Sequence, residues 1–353
     1  MPAACDATGK WRTGATCPFA TACAGQPEKT KVYVDADPSI AQIIAAEHQG
    51  TITYVKTPIG TTDFEMSTFF ADVGDVSAVQ IVNQAQVEYI KDYIGPNPDP
   101  SNPIVQKCPD CPILSVSAPF KSGFQGGNDY TDVPAGNIAI NNAADLYLYA
   151  NTVYAVKVTG AQILDWLETA ATRFARIDPM SANEQPLINV TMPGYNFDMF
   201  TDPDISYEID VTQPLPPMGM KASGRIKNLM YKGQPMPMDK EFIVVTNNYR
   251  ASGGGGFPGL DGSNAIYAAP DTNREALITY IKKYMKLSRA NNGSARSWRF
   301  AKLPVKSKGP VIFTSAQNAL PKALDAGLTN IKVYKQDDGS DKMLSVYEID
   351  LSQ

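Results

Sequence analysis

The sequence predicts an α+β fold built from layered mixed sheets with flanking helices. Strand-like and helix-like segments follow one another without the strict alternation that is typical of parallel α/β folds. Several helical segments also combine amphipathic periodicity with capping residues at their amino ends. The 353 residues are 43% hydrophobic and 19% charged, a normal globular composition that allows a sizeable core in one large domain or two ordinary ones.

The amino-terminal part of the chain divides near residue 37. The first 36 residues show no sustained periodicity and are predicted to be an irregular leader or a remnant of a preceding domain, whereas residues 37–353 are predicted to form one domain. Ser39 and Gln42 have the spacing of a capping box, which predicts a helix to about Gln49. A second helix is expected over residues 77–94, since its apolar residues recur at helical spacing.

Two irregular segments surround a predicted buried strand at residues 113–117. The first, residues 95–112, is rich in Pro and Asp and is expected to be a loop. The second, APFKSGFQGGNDYTDVPAG, contains glycines, aromatics and one lysine with little helix or strand character. It is either a binding loop held on a rigid scaffold or a long surface excursion.

The remaining elements follow from local patterns. The strand predicted at residues 153–158 leads into a helix from Gly160 to about Arg176, with Thr159 and Gln162 as a capping box. Another capped helix starts at Thr272 and Glu275. Further strands are expected at 205–211, 225–231 and 242–246, and residues 310–351 are expected to add a strand, a short helix and two strands.

The composition excludes several classes of function. The chain contains a single histidine, His48, which excludes a multi-histidine metal site and favours a surface or packing role for that residue. A net charge of −5 provides no basic field for a nucleic-acid polymer. No stretch approaches the roughly 18 consecutive apolar residues of a membrane span, and the first 30 residues lack the pattern of a secretory signal.

The cysteines leave their chemistry open. There are five, Cys5, Cys17, Cys23, Cys108 and Cys111, so at least one stays unpaired within the chain. Cys108-Pro-Asp-Cys111 has the spacing of a metal-ligand or redox pair, but Cys17 and Cys23 are separated by more residues than a zinc site usually has. A structural disulfide is favoured, with zinc binding and free thiols as alternatives.

The segment SGGGGFPG, residues 252–259, contains four successive glycines. It lacks the Lys-Ser/Thr that completes a P-loop and the G-x-G-x-x-G entry to a helix, so it is weak evidence for phosphate binding. Successive glycines nevertheless let the backbone approach a ligand closely or adopt positive φ angles.

Several long segments carry a resemblance to a known family. They are PILSVSAPFKSGFQGG, VPAGNIAINNAADLYLYANTVYAVKVTG, QILDWLE, LINVTMPGYNFDMF, YEIDVTQP, RIKNL and TNNYRASGGGGFPG. From about Asp35 onwards the chain resembles the C-terminal domain of the 5′-nucleotidase family, in particular its bacterial 2′,3′-cyclic-nucleotide 2′-phosphodiesterase/3′-nucleotidase branch. The resemblance implies a nucleoside-binding domain with the 5′-nucleotidase C-terminal fold.

Members of this family also have an N-terminal metallophosphoesterase domain that holds two metals through His, Asp and Asn. The Asp-x-His and Gly-Asn-His motifs of that domain are absent here. We therefore expect no catalytic residues, metal ligands or cofactors in this chain, with two divalent metals in a missing N-terminal domain. The chain alone is expected to be inactive.

The resemblance also implies a binding site. The family holds the base between two aromatic rings, which correspond to Tyr149 in LYLYANT and Tyr249 in NNYRASGG. Stacking on an aromatic face contributes about 1–3 kcal/mol per base and tolerates different bases. Main-chain and ribose contacts are expected from Arg250, Ala251, Ser252, Gly253, Gly254 and Gly255, and secondary contacts from Ser117, Phe120 and Lys121.

One position departs from the family pattern, since Gly255 stands where many 5′-nucleotidases have an aspartate. This departure weakens a 5′-nucleotidase assignment and is compatible with the cyclic-phosphodiesterase branch. Alternatively, Tyr149 and Tyr249 are ordinary packing residues among 17 tyrosines.

The expected partners are nucleosides, 3′-nucleotides or 2′,3′-cyclic nucleotides, and the N-terminal metallophosphoesterase domain of a periplasmic or secreted parent protein. Polymeric nucleic acid and membranes are not expected as partners. Two other functions stay open, namely a complete enzyme that uses a carboxylate-based metal site and a non-catalytic protein-interaction module.

Overall fold

The computed structural model describes residues 37–216, 223–293, 296–325 and 327–353. Residues 37–53 belong to one compact unit and residues 54–353 to another. The helices are α1 Pro38–Ile43, α2 Ala45–Val55, α3 Ser77–Ile94, α4 Pro103–Lys107, α5 Ile140–Leu146, α6 Gly160–Ala170, α7 Asn248–Ala251, α8 Asn273–Tyr284 and α9 Leu320–Asp325. Within the described ranges, no helix combines the length and the apolar character needed to cross a membrane.

The strands form several sheets that combine parallel and antiparallel pairs. They are β1 Pro58–Thr62, β2 Met66–Ser67, β3 Ile113–Ser117, β4 Asp132–Val133, β5 Gly136–Ala139, β6 Thr152–Thr159, β7 Gln185–Pro186, β8 Met199–Phe200, β9 Ile205–Ile209, β10 Ile226–Tyr231, β11 Gln234–Pro235, β12 Glu241–Asn247, β13 Ala265–Thr272, β14 Lys286–Leu287, β15 Trp298–Phe300, β16 Val311–Ala316, β17 Ile331–Lys335 and β18 Leu344–Ile349. The predicted α+β architecture of layered mixed sheets with flanking helices is confirmed.

The sheet that positions the candidate site has the strand order β13-β6-β12-β3-β8. Strand β12 pairs with β6 in antiparallel register from Glu241 opposite Thr159 to Asn247 opposite Val153. On its other side β12 runs parallel to β3. The carboxyl ends of β3 and β12 and the amino end of β6 therefore meet at one edge of the sheet.

The other sheets have the orders β14-β1-β5, β11-β10-β9-β15, β17-β18-β16-β7 and β2-β4. Helix α3 packs against β3 on one side and α8 on another. The main core contains a cluster of aromatic rings, in which Phe174 meets Phe197 at 5.0 Å and Trp166 meets Phe200 at 5.6 Å. Burial of these large rings is a major source of folding free energy.

The capping residues were predicted correctly at two helices and wrongly at one. Thr159 and Thr272 each cap their helix in a complete capping box. At α1, however, the N-cap is Asp37, whose carboxylate accepts a hydrogen bond from the Ser39 backbone N–H at 2.9 Å. The predicted single helix is also interrupted at Ile44 and then continues as α2 to Val55. His48 is exposed on α2, in agreement with a surface role.

Helix α6 ends earlier than its apolar stripe predicts. The regular helix stops at Ala170, a 3₁₀ turn follows over Ala171–Arg173, and Phe174 is extended. The guanidinium of the buried Arg225 donates to the carbonyl oxygens of Ala171 and Phe174 at 2.9 and 2.7 Å. The Arg225 side chain thereby satisfies carbonyl groups at the end of α6 that no further helical turn pairs.

The segment predicted as a loop at residues 95–112 contains the short helix α4. Its amino end is capped by Asn102, which accepts from the Ile104 N–H at 2.9 Å, and Pro103 occupies the first helical position. After this helix, Cys108 and Cys111 are joined as a disulfide with Cα atoms 5.4 Å apart, which agrees with the favoured interpretation. Cys5, Cys17 and Cys23 lie outside the described residues, as does the predicted leader.

Candidate functional site

A cavity of about 310 Å³ opens at the sheet edge where β3, β6 and β12 meet. Its lining comes from the residues after β3, before β6 and at the end of β12, and from the segment before β8. The lining residues are Ala118, Phe120, Tyr149, Asn151, Tyr195, Asp198, Asn247, Tyr249 and Arg250. The sheet thus brings together four parts of the chain that are distant in sequence.

Tyr149 is half-exposed, with 48% of its surface accessible. Phe120 supports it in a nearly perpendicular arrangement, with ring centroids 5.2 Å apart. Phe120 in turn packs against the fully buried ring of Tyr147 at 4.8 Å. The Tyr149 ring is therefore held by the core while much of its surface stays accessible to a ligand.

Tyr249 lies on the short helix α7 and is 49% exposed. Asn247 caps this helix by accepting a hydrogen bond from the Arg250 N–H at 2.9 Å. The Tyr249 ring lies against the backbone of Gly254, because a Cβ atom at Gly254 would be only 2.5 Å from the ring atom Cε1. The Tyr249 ring can occupy its observed position because residue 254 is a glycine.

Arg250 lines the cavity, but its guanidinium is directed into the protein. It is 3% exposed, and its Nε lies 2.7 Å from the Asp198 carboxylate. Its other nitrogens donate to Asp198, to the Tyr195 and Gly254 carbonyl oxygens and to the Asn196 side chain. The guanidinium also lies 4.2 Å from the ring centroid of Phe257. Through these contacts Arg250 joins the segments that form the cavity walls.

The glycine loop surrounds this arginine. Gly253 and Gly255 adopt φ angles of 97° and 82°, which non-glycine residues rarely adopt. A Cβ atom at Gly255 would lie 2.1 Å from Arg250 Nη1. A side chain at this position, including the aspartate that many 5′-nucleotidases carry there, would collide with the arginine in its observed position.

The other predicted contact residues lie beside the cavity without lining it. Ser117 is buried at the end of β3, and its Oγ has no hydrogen-bond partner within the described residues. Lys121 is turned away into an ion pair with Asp145. Ala251 is buried, while Ser252 and the glycines that follow it form the loop behind Tyr249. The structure therefore brings Phe120, Tyr149, Tyr249 and Arg250 together at the cavity surface.

Five lining residues were absent from the sequence-based site, namely Ala118, Asn151, Tyr195, Asp198 and Asn247. All five lie in segments that carry the family resemblance. Asn151 stands two residues after Tyr149 in LYLYANT, and Tyr195 and Asp198 belong to PGYNFDMF. Spacing alone could not show that they share a cavity, because they come from separate elements.

Hydrogen bonds within the site leave few polar groups for a ligand. The Asn247 amide donates to the Tyr147 hydroxyl at 3.1 Å, while its oxygen caps α7. Burial raises the pKa of the Tyr147 hydroxyl, which therefore stays protonated. Asn151 Nδ2 donates to the Asn248 oxygen at 2.9 Å, and Asn151 Oδ1 has no hydrogen bond within the described part of the chain.

One group of potential metal ligands occurs elsewhere among the described residues. It consists of Cys108, Cys111 and Glu241, whose ligand atoms lie within 4.8 Å of one another. Glu241 begins β12, whereas Asn247 at the cavity ends it. The two cysteines are joined as a disulfide and thus offer no free thiolates.

The fold and the sequence together define the class of protein. The chain belongs to the family described as 5′-nucleotidase, C-terminal domain, whose model matches residues 58–262. It is 41% identical over 249 residues to the trifunctional nucleotide phosphoesterase protein YfkN of Bacillus subtilis, an alignment that covers 69% of this chain and 16% of the relative.

A second relative is similar over nearly the whole chain. The 2′,3′-cyclic-nucleotide 2′-phosphodiesterase/3′-nucleotidase of Haemophilus influenzae is 35% identical over 336 residues, 92% of this chain and 49% of the relative. A solved structure, a putative 5′-nucleotidase from Staphylococcus aureus in complex with α-ketoglutarate, shares the fold with a TM-score of 0.53. It is 16% identical, and the alignment covers 78% of this chain and 46% of that one. The chain thus spans half or less of the length of each of these proteins.

Proposed function

We propose that this chain is the nucleoside-recognition domain of a 2′,3′-cyclic-nucleotide 2′-phosphodiesterase/3′-nucleotidase, and that the base binds between Tyr149 and Tyr249. One observation carries the proposal. Two half-exposed tyrosines from distant parts of the chain line the same cavity at the edge of the sheet β13-β6-β12-β3-β8. An exposed ring that is already held by packing loses little conformational entropy when a flat ligand stacks on it.

The size and charge of the cavity support a small, flat ligand. Its volume of about 310 Å³ is at the lower end of the roughly 300–1,000 Å³ that small-molecule sites occupy. Arg250 is the one cationic side chain among the described lining residues, and Asp198 neutralises it. The site therefore favours the nucleoside part of a nucleotide, with the phosphate directed out of the cavity.

We further propose that this chain binds its ligand without hydrolysing it. The sequence has a single histidine, which cannot supply the histidine-rich ligand set of a two-metal centre. In this proposal a metallophosphoesterase domain of the parent protein provides both divalent metals, which stabilise the attacking and leaving oxygens. The parent protein would be periplasmic or secreted, and the Cys108–Cys111 disulfide supports an oxidising compartment.

Isothermal titration of the purified chain with adenosine and with 3′-AMP tests the binding proposal. We expect saturable heat with both ligands. No heat with either ligand at millimolar concentration would contradict it. A parallel assay for phosphate release from 3′-AMP tests the second proposal, since chelator-sensitive turnover by the pure chain would show a complete enzyme instead.

A further inference from the structure

Tyr195 is a third exposed tyrosine at the cavity, and it lies on a different element from the other two. It belongs to the 3₁₀ turn Gly194–Asn196 and is 43% exposed. Tyr149 precedes β6 and Tyr249 lies on α7, so the three rings approach the cavity from three separate segments. Exposed aromatic rings that gather at one cavity commonly mark a binding surface.

The backbone on both sides of Tyr195 is held by buried arginines. Arg250 Nη2 donates to the Tyr195 carbonyl oxygen at 3.0 Å, and Arg173 Nη1 donates to the Met192 carbonyl oxygen at 2.5 Å. Arg173 is fixed in turn by an ion pair with Asp72. The exposed Tyr195 side chain is therefore carried by a backbone whose position is set by the core.

The neighbouring loop restricts this turn further. A Cβ atom at Gly194 would lie 2.2 Å from the Ser122 hydroxyl oxygen, so the turn packs closely against the segment after β3. The same turn continues into Asp198, which accepts from Trp166 Nε1 at 2.7 Å and pairs with Arg250. A ligand that reaches Tyr195 thus meets a side chain on a preorganised backbone, which lowers the entropic cost of the contact.

The Tyr195 hydroxyl is available to form a hydrogen bond with a ligand. Asn247, Asp198 and Arg250 use their polar side-chain atoms within the protein. The Tyr195 hydroxyl makes no hydrogen bond in the described parts of the chain. A phenol can both donate and accept, which matches the hydroxyl groups of a ribose or the polar edge of a base.

We infer that Tyr195 is a specificity-determining residue, whose hydroxyl hydrogen-bonds a polar group of the nucleoside that is stacked between Tyr149 and Tyr249. This inference rests on the proposed function. Stacking on two rings discriminates weakly between bases, because every base has a π face. A hydrogen bond from a third side chain discriminates more strongly, since a ligand without the matching group leaves a polar atom unpaired.

Adenosine titration of Tyr195→Phe tests the inference, because this substitution removes the hydroxyl and keeps the ring. We expect affinity to fall roughly 3- to 10-fold, as for the loss of one neutral hydrogen bond. Tyr54→Phe is the matched control, since Tyr54 is 64% exposed and does not line the cavity. Its affinity should equal that of the unchanged chain, and circular dichroism should show all three proteins folded.

Three analogues identify the group that Tyr195 contacts. 2′-Deoxyadenosine and 3′-deoxyadenosine each lack one ribose hydroxyl, and purine riboside lacks the exocyclic amine. The analogue that lacks the contacted group should bind the unchanged chain and the Tyr195→Phe variant with equal affinity. The reason is that neither complex then contains the hydrogen bond, as in a double-mutant cycle.

The two proposals fail in different ways. If the unchanged chain binds no nucleoside, the proposed function fails. If the unchanged chain binds adenosine and Tyr195→Phe binds it with the same affinity, the proposed function stands and the inference about Tyr195 is overturned. An equal loss of affinity in Tyr54→Phe would also overturn it.

Discussion

The Arg250 guanidinium and the Asp198 carboxylate form an ion pair of 2.7 Å in which both side chains are only 4% exposed. The pair joins the helix that carries Tyr249 to the segment that carries Tyr195. Since a buried charge without a partner is very unfavourable, each side chain depends on the other. The walls of the cavity are thereby linked through the protein interior.

Loss of either partner of this ion pair should destabilise the fold. Arg250→Leu leaves the Asp198 carboxylate buried without its counter-charge, and we expect the free energy of unfolding to fall by about 3–5 kcal/mol. Urea unfolding followed by circular dichroism measures this. The double variant Arg250→Leu/Asp198→Leu should recover part of the loss, and a single-variant effect below about 1 kcal/mol would contradict the structural role.

Tyr149 and Tyr249 should matter more for binding than for stability, because both rings are half-exposed. We expect Tyr149→Ala and Tyr249→Ala each to weaken adenosine binding by about 1–3 kcal/mol, or about 5- to 150-fold. Calorimetric titration measures the affinity and a thermal melt the stability. The opposite result, a lower melting temperature with unchanged affinity, would assign the rings to packing; Tyr54→Ala is the control for an exposed tyrosine.

Glycines 254 and 256 offer a matched pair of substitutions in one loop. Gly254→Ala would place a Cβ atom 2.5 Å from the Tyr249 ring and should displace it, so nucleoside affinity should fall. Gly256 has a φ angle of 71° and open space around it, so Gly256→Ala should cost about 1–2 kcal/mol of stability through backbone strain and affect binding less. Equal affinities of the two variants would argue against the contact between Gly254 and the Tyr249 ring.

The phosphate of the ligand should contribute little to binding by this chain. The one cation of the described lining, Arg250, is already paired with Asp198. Adenosine and 3′-AMP should therefore bind with similar affinities, and raising the salt concentration from 50 to 500 mM should change neither by more than a few-fold. Much tighter, salt-sensitive binding of 3′-AMP would show that a cation outside the described lining reaches the phosphate.

Asp75 should make stability depend on pH. The Asp75 side chain is 3% exposed, and burial raises its pKa from 3.8 to about 7. Hydrogen bonds from Gln80 and from the Ser297 N–H, together with the charge of Arg296, oppose this shift. Because the folded state holds the proton more tightly, this group's contribution is fully present below pH 3.8 and is lost as pH rises towards 7. The slope is at most about 1.4 kcal/mol per pH unit.

Urea unfolding of the unchanged chain and of Asp75→Asn at several pH values isolates this contribution. Asn does not titrate, so the stability of the unchanged chain relative to the variant should decrease between pH 4.5 and 7.5. A difference that stays constant over this range would mean that Asp75 titrates normally in the folded protein.

Much of the fold could be predicted from short-range patterns in the sequence. The capping boxes at Thr159 and Thr272 and the strands around residues 153–158 and 242–246 were recovered, because caps and periodicity act between residues within about four positions. The early end of α6 was missed, since it depends on Arg225, which lies 54 residues after Ala171. The domain boundary at residue 37 and the roles of the site residues stay predictions.

The sequence by itself determined the class of fold, the family resemblance and the absence of a multi-histidine metal site, since each depends on local pattern or on composition. Only the tertiary structure decided where the side chains of the predicted site residues lie. It turned Lys121 away to Asp145 and brought Tyr195 to the cavity. It also enclosed the Arg250 guanidinium with Asp198, which lies 52 residues earlier in the chain. Pairings over such distances result from the packing of separate elements, and no spacing along the sequence specifies them.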